Sequence, residues 1–161
     1  MPLPRGLLRL TPEELDELLA QTRTLRAGTV SPDGWPHVAP LWFVWRDGSV
    51  WINSLKRSKR TRDVQAGSPV ALCVDDGIEY AELRGAVLYG RFADVPDDDA
   101  DLPSIRAAFG SKYFGGVDIP MTKSHQWLRL TPDKVVSWDF HKIPTGADRR
   151  LGAQVPIQRE A

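Results

Sequence analysis

Turn-forming sequences recur along this chain and divide it into short apolar runs. Ser31-Pro-Asp-Gly34 and Arg46-Asp-Gly48 separate runs in the first half, and Asp75-Asp-Gly77 and Thr131-Pro-Asp133 do so further on. Proline fixes the backbone and glycine frees it where the chain must reverse, and aspartate supports such turns with its side chain. Short runs rich in Val, Trp and Phe between turns are typical of antiparallel strands. The chain is therefore predicted to be mainly β, a barrel of six to seven antiparallel strands with two or three short helices.

The sequence predicts seven strand-like runs and three helices, with one helix at the start of the chain and two in its middle. A capping box, with Thr11 as N-cap, Pro12 in the first turn and Glu14 at the third helical position, predicts the first helix. Two more short helices are predicted over 61–66 and 100–109. With 161 residues, one domain is expected (1–161), with an N-terminal helical region (1–22) and a polar tail (143–161). The predicted strands are 25–30, 37–45, 49–53, 69–74, 79–94, 124–130 and 134–140.

The second predicted strand, His37 to Trp45, is apolar at nearly every position. A strand with one face in water alternates between apolar and polar residues, whereas a strand covered on both faces does not. We therefore expect this strand to be covered on both sides, either inside a closed barrel or at a subunit interface.

The basic segment, defined as residues 54–62, is the strongest local charge feature. The whole chain has 21 basic and 21 acidic residues, so the charge is local rather than general. The segment follows a predicted strand and leads into a predicted helix, a context in which backbone N–H groups favour a phosphate. Arginine adds paired donors and lysine a point charge. We interpret it as the site for the phosphate of a flavin-like cofactor, against the plainer alternative of a solvated turn. Its cations are Lys56, Arg57, Lys59, Arg60 and Arg62.

Several classes of function are not favoured by the sequence. No apolar run approaches the length needed to cross a bilayer, and no signal-peptide pattern is present, so we expect a cytoplasmic protein without a membrane partner. Cys73 is the single cysteine, and the three histidines lack metal-ligand spacing, so no metal is expected. The balanced charge, and a basic segment without interleaved aromatic residues, argue against nucleic acid as the partner. No sequence pattern identifies catalytic residues.

Four pieces of the chain, in order, resemble the pyridoxamine 5′-phosphate oxidase-like FMN-binding split β-barrel family, especially its flavin- and deazaflavin-dependent oxidoreductase branch. Together they cover about residues 24 to 142. The pieces are Thr29 to Trp45, Val50 to Ser54 with Ser58 to Val64, Ser68 to Gly77 with Leu83 to Val87, and Thr131 to Asp139.

The resemblance implies a homodimer with a cofactor site between subunits and a small planar conjugated molecule as substrate. It implies that the cofactor ring lies beside Pro40, Leu41 and Trp42, and that the ring-to-ribityl part lies near Asn53 and Ser54. The phosphate is expected at Ser58, Lys59 and Arg60, with Arg62 as a helper. Trp138 and Lys142 are expected to close over the ring from the partner chain.

Two cofactors remain open from the resemblance, FMN and coenzyme F420. Family members that oxidise pyridoxamine phosphate carry an arginine and a lysine where this chain has Ala39 and Val44, which disfavours that activity. Lys56 and Arg57 would suit the longer anionic tail of coenzyme F420. The alternative function is a non-enzymatic flavin, deazaflavin or haem carrier or sensor of the same fold. The loop around residues 109–121, with glycines flanking aromatic residues, is a candidate lid or a plain connection.

Overall fold

The computed structural model describes residues 6–143, and the predicted polar tail beyond residue 143 lies outside this range. Within it the chain forms three α-helices and nine strands. Two short 3-10 helices cover Tyr80–Glu82 and Phe140–Lys142. The elements are α1 Pro12–Gln21, β1 Thr24–Val30, β2 Pro36–Trp42, β3 Val44–Arg46, β4 Ser49–Leu55, α2 Lys59–Gln65, β5 Val70–Asp76, β6 Arg84–Gly90, β7 Ala93–Val95, α3 Leu102–Tyr113, β8 His125–Leu130 and β9 Lys134–Asp139.

The strands form two antiparallel sheets that enclose one core, which confirms the predicted mainly β split barrel. The larger sheet has the order β2-β1-β5-β6-β9 and the smaller one β3-β4-β8-β7. Buried aliphatic side chains of both sheets meet between them, and Leu18 and Leu19 of α1 close one end. On the other side of the smaller sheet, α3 packs Leu102, Ile105 and Phe109 in a second apolar cluster.

The predicted strand 37–45 is divided, because the chain leaves one sheet and enters the other at Phe43. The Phe43 side chain is completely buried in the core. Its backbone N–H donates to the Tyr113 hydroxyl at 3.0 Å, and that hydroxyl lies 2.8 Å from the Phe43 carbonyl oxygen. A side chain of α3 therefore satisfies the backbone groups that a neighbouring strand would otherwise pair.

Burial on both faces of this strand is not observed within the chain itself. Along β2, outward-facing residues alternate with partly buried ones, and Val38 and Trp42 are 66% and 45% exposed. The alternation shows that one face of β2 lies on the barrel and the other faces away from it.

The long predicted strand 79–94 is also divided. A 3-10 turn precedes β6, and the buried side chain of Phe92 interrupts the strand before β7. The helices differ from the expected bounds as well. Ser58 caps α2, so this helix begins at Lys59, and α3 continues beyond residue 109 to Tyr113. The capping box of α1 is confirmed: Thr11 Oγ1 accepts from the Glu14 N–H, and the Glu14 carboxylate accepts from the Thr11 N–H.

None of the helices within residues 6–143 combines the length and apolar character that crossing a bilayer requires.

Gly85 on β6 lies directly beneath the indole of Trp138 on β9. A Cβ at this position would stand 2.4 Å from Trp138 Cζ2 and 2.7 Å from the Val74 carbonyl oxygen. We expect Gly85→Ala to lower the free energy of unfolding by roughly 1–3 kcal/mol, because the strand or the indole must shift. Urea denaturation measures this. Gly28→Ala is the matched control, since its Cβ would meet only the Ala71 carbonyl oxygen, at 3.5 Å; equal losses in the two variants would contradict the prediction.

Candidate functional site

The centre of the candidate site is the junction between the end of β4 and the start of α2. Ser54, completely buried on β4, lies within 2.9 Å of two polar groups of α2, the Thr61 hydroxyl and the Arg60 guanidinium. Ser58 caps α2 by accepting the Thr61 N–H at 3.1 Å. These bonds hold the residues predicted for phosphate binding in one place, next to the barrel core.

Arg60 is the unusual residue of this junction. Its side chain is 7% exposed, its guanidinium donates to Ser54 Oγ, and its Nε has no hydrogen-bond partner among the described residues. No carboxylate of residues 6–143 lies within ion-pair distance of it. Burial lowers the pKa of the guanidinium from its ordinary value. A buried cation without a counter-charge is destabilising, so this position favours an incoming anion.

Lys59, the predicted partner of Arg60 in phosphate binding, is held by an internal carboxylate. Its ammonium lies 3.2 Å from the buried carboxylate of Asp63, which also accepts a hydrogen bond from the Thr29 hydroxyl at 2.8 Å. Burial raises the pKa of Asp63, but the hydrogen bonds from Thr29 and Lys59 outweigh it and lower the pKa overall. Asp63 is therefore ionised, and it neutralises Lys59. Arg62 is exposed on the outside of α2.

Lys56 and Arg57 lie on the exposed turn before α2, beside an open groove of about 640 Å³. The groove is also lined by Lys123 and Ser124, and the Lys56 N–H donates to the Ser124 carbonyl at 2.9 Å. Of the residues that the structure describes, three cations and no carboxylate line this groove, so its surface is positively charged next to the Ser58 cap.

The residues predicted to lie beside the cofactor ring do line a common cleft, which we call the ring cleft. It has a volume of about 430 Å³ and is lined by Thr24, Pro40, Leu41, Trp42, Asn53 and Phe109. The Trp42 indole stacks on Tyr113 at a centroid distance of 4.5 Å and an angle of 9°. Asn53 Oδ1 is buried and has no hydrogen-bond partner in the part of the chain that the structure describes. The cleft therefore offers a flat, mostly apolar space with a polar amide at one edge.

A second cleft, which we call the His125 cleft, shares Asn53 and Phe109 with the ring cleft. It has a volume of about 280 Å³ and is lined by Asn53, Phe109, Phe114, Ile119, Pro120, Thr122 and His125. The sequence analysis considered the histidines only as metal ligands and missed that His125 lines a cleft. Phe109 and Tyr113 are one helical turn apart, and this spacing was the sequence signal that α3 presents an aromatic face towards the clefts.

The candidate lid is attached to α3 in this structure and forms a wall of the His125 cleft. Arg106 donates to the Ile119 carbonyl at 2.9 Å and pairs with Asp118 at 2.7 Å. A Cβ at Gly110 would stand 2.2 Å from the Val117 carbonyl oxygen, so the loop lies directly on the helix.

Trp138 and Lys142 do not reach the ring cleft of their own chain. They lie at the β9 edge of the larger sheet, with three strands between β9 and β2. The Lys142 ammonium is paired with Glu14 and donates to the Arg9 carbonyl oxygen. Their predicted role depends on a second subunit.

A phosphate-bearing planar cofactor fits these residues. The uncompensated Arg60, with Ser54 and Ser58 beside it, suits an anion, and the ring cleft suits a flat conjugated ring with polar edges.

Comparison of folds finds close likeness to solved structures across most of the chain. A conserved hypothetical protein of Mycobacterium tuberculosis is 22% identical with a TM-score of 0.75, covering 98% of this chain and 96% of that one. The heme storage protein HutZ of Vibrio cholerae is 17% identical, with a TM-score of 0.66 and coverage of 81% and 96%. An F420 reductase is 22% identical, with a TM-score of 0.62 and coverage of 78% and 98%. At these identities the likeness shows the fold.

No curated protein sequence matches this chain. The family described as pyridoxamine 5′-phosphate oxidase matches residues 11–139, which include α1, both clefts, the basic segment and every strand. The chain therefore belongs to the pyridoxamine 5′-phosphate oxidase family.

Proposed function

We propose that this protein is an oxidoreductase that binds FMN or coenzyme F420 and transfers a hydride between the cofactor and a small planar conjugated substrate. The observation that carries the proposal is Arg60, a buried cation with no carboxylate of residues 6–143 at ion-pair distance. It donates to Ser54, the residue after Asn53 of the ring cleft. Family membership supports a cofactor of this kind, and the F420 reductase of the same fold keeps the deazaflavin open beside FMN.

The chain's own contribution is binding, orientation and exclusion of water. When bound, the cofactor would supply the hydride chemistry, which is why the site needs no acid–base pair of its own. Arg60, Ser54 and Ser58 would hold the phosphate, and charge-assisted bonds to Arg60 would be the strongest of these contacts. Pro40, Leu41 and Trp42 would flank the ring.

We also propose that the functional unit is a homodimer formed through the outer face of the larger sheet. This side of the sheet points away from the barrel core, yet its exposed positions are largely small or apolar. An exposed apolar face of this kind marks an interaction surface. Its small and apolar residues are Val38 and Pro40 of β2, Gly28 and Val30 of β1, Ala71 and Cys73 of β5, Val87 and Tyr89 of β6, and Val136 and Trp138 of β9. The same face also carries Lys134 and the ion pair between Arg26 and Asp75.

A second copy of the chain is the occupant that best suits this face. The face carries Trp42 at one edge and Trp138 at the other, and two-fold symmetry apposes the same surface of both subunits. Such pairing can bring the Trp138 edge of one chain towards the ring cleft of its partner. This arrangement would give Trp138 and Lys142 the role that they cannot fill within one chain.

Titration of the purified protein with FMN and with coenzyme F420 tests the proposed function. We expect one of the two to bind at micromolar or lower concentration and its absorbance band to shift. Turnover against a panel of enones and quinones then separates an enzyme from a carrier or sensor, which would bind without turnover. Failure of both cofactors to bind would refute the proposal, and a haem absorbance band in the protein as isolated would point to the haem-binding alternative.

A further inference from the structure

The His125 cleft has no part in holding the cofactor as proposed above. Its walls are mostly apolar or aromatic, from Phe109 and Phe114 to Ile119 and Pro120, and no charged side chain of the described residues lines it. Its volume of about 280 Å³ lies near the lower end of ligand-binding pockets, roughly 300–1,000 Å³. Because it shares Asn53 and Phe109 with the ring cleft, a molecule in it would lie beside the occupant of that cleft.

The imidazole of His125 is oriented by its own turn. Its Nδ1 lies 2.9 Å from the Thr122 hydroxyl and 3.0 Å from the Ser124 hydroxyl, and its backbone N–H donates to the Thr122 carbonyl at 3.2 Å. A neutral imidazole has one N–H and one acceptor nitrogen. When a hydroxyl donates to Nδ1, the neutral imidazole carries its proton on Nε2, and that atom has no hydrogen-bond partner within residues 6–143.

We propose that the His125 cleft is the substrate subsite, and that His125 donates a hydrogen bond from Nε2 to a carbonyl oxygen of the substrate. This inference rests on the proposed function, which it deepens by assigning the substrate's position and a specificity-determining residue. The lining specifies the ligand chemistry. Aromatic walls favour a flat conjugated molecule, the uncharged lining favours an uncharged one, and the free N–H favours an oxygen acceptor.

Binding of two bicyclic probes tests the proposal without requiring turnover. Chromone is a conjugated ketone, and naphthalene is a hydrocarbon of similar shape that lacks the oxygen acceptor. His125→Phe keeps a flat ring and removes the N–H. We expect this variant to bind chromone about five- to tenfold more weakly and naphthalene within about twofold of the original affinity, as loss of one hydrogen bond predicts.

A matched control is His141→Phe. His141 lies in the 3-10 helix after β9, where its Nδ1 is 2.8 Å from the Asp139 carboxylate, outside both clefts. Chromone affinity should not change in this variant. Equal changes for chromone and naphthalene in His125→Phe, unchanged chromone affinity, or absence of chromone binding to the original protein would each overturn the proposal.

Nitrogen-15 spectra of the histidine side chains give a readout that a structural role for His125 would not produce. In the unsubstituted protein the His125 Nε2 signal should shift on addition of chromone and stay in place with naphthalene. If His125→Phe does not fold, His125→Gln and these spectra decide the question. Cofactor titration of the same preparation separates the two proposals. Cofactor binding with a failed chromone test would overturn only the substrate subsite. A shift of Nε2 without any cofactor binding would overturn the proposed function and leave the His125 cleft only as a binding site for a conjugated ketone.

Discussion

Replacement of Arg60 by methionine is expected to weaken binding of the phosphate-bearing cofactor by about 10- to 100-fold. This range corresponds to the loss of a charged hydrogen-bonding group worth about 1.5–3 kcal/mol. Methionine preserves an unbranched apolar stem, so little packing is lost. Fluorescence or absorbance titration measures the affinity, and the phosphate-free form of the same chromophore should bind both proteins equally.

The same substitution is expected to leave the cofactor-free protein as stable as before, or more stable. Arg60 is a buried cation whose Nε has no partner within residues 6–143, and removal of a buried charge that these residues do not compensate relieves a desolvation cost. Ser54 keeps its other hydrogen bond, to Thr61 at 2.9 Å. Opposite effects on affinity and stability are characteristic of a residue placed for binding, whereas a loss of both would indicate a structural role.

Lys59→Met is the matched comparison for Arg60→Met, because the two residues are neighbours on the same turn. Lys59 is paired with Asp63, so its charge is already balanced, and we expect a smaller loss of cofactor affinity than for Arg60. Lys59→Met also leaves the buried Asp63 carboxylate without its cation, so we expect it to have a lower free energy of unfolding than Arg60→Met. If Lys59→Met weakened the cofactor as much as Arg60→Met, the assignment of phosphate binding to Arg60 would fail.

Substitution of Val136 by glutamate is expected to convert the proposed dimer to monomers. Val136 lies on the outer face of the larger sheet, opposite Val87 of β6, and two-fold symmetry would place two new carboxylates in one interface. Burying such charges without partners costs several kcal/mol, so the dimer dissociation constant should rise by about 100-fold or more. Sedimentation velocity over a range of concentrations measures the change.

Val135→Glu provides a control that differs only in the face of the strand. The two valines are adjacent on β9 and similarly exposed, 40% for Val135 and 43% for Val136, but successive side chains of a strand point to opposite faces. We expect Val135→Glu to remain dimeric. Dissociation of both variants, or of neither, would contradict an interface on the outer face. An unsubstituted protein that is monomeric would also contradict it.

Much of the fold follows from local sequence signals. The α1 capping box and the aspartate-containing turns specify element boundaries with atoms that lie close together in sequence, so they were predicted correctly. The break at Phe43 was not, because the apolar run from Val38 to Trp45 contains no proline or glycine where the chain changes sheet. The cause is a tertiary contact, the Tyr113 hydroxyl from a helix 70 residues away. Such a contact leaves no local signal.

The candidate site shows the same division between local and tertiary information. The sequence located the basic segment and the strand beside the ring cleft, but it could not rank the cations of that segment. Burial of Arg60 against Ser54 and pairing of Lys59 with Asp63 distinguish two neighbouring basic residues that look equivalent in sequence. The His125 cleft was missed because α3, the loop after it and β8 meet only in the folded chain.

Tyr113 joins three parts of the molecule. Its hydroxyl bonds the backbone of Arg23 and Phe43, while its ring stacks on Trp42 at the edge of the ring cleft. The indole therefore has a fixed orientation before any ligand arrives, and binding against it sacrifices little rotational freedom. Affinity at this edge of the cleft accordingly depends on how well the ligand matches a preorganised surface, and ordering of this side chain subtracts little from the binding free energy.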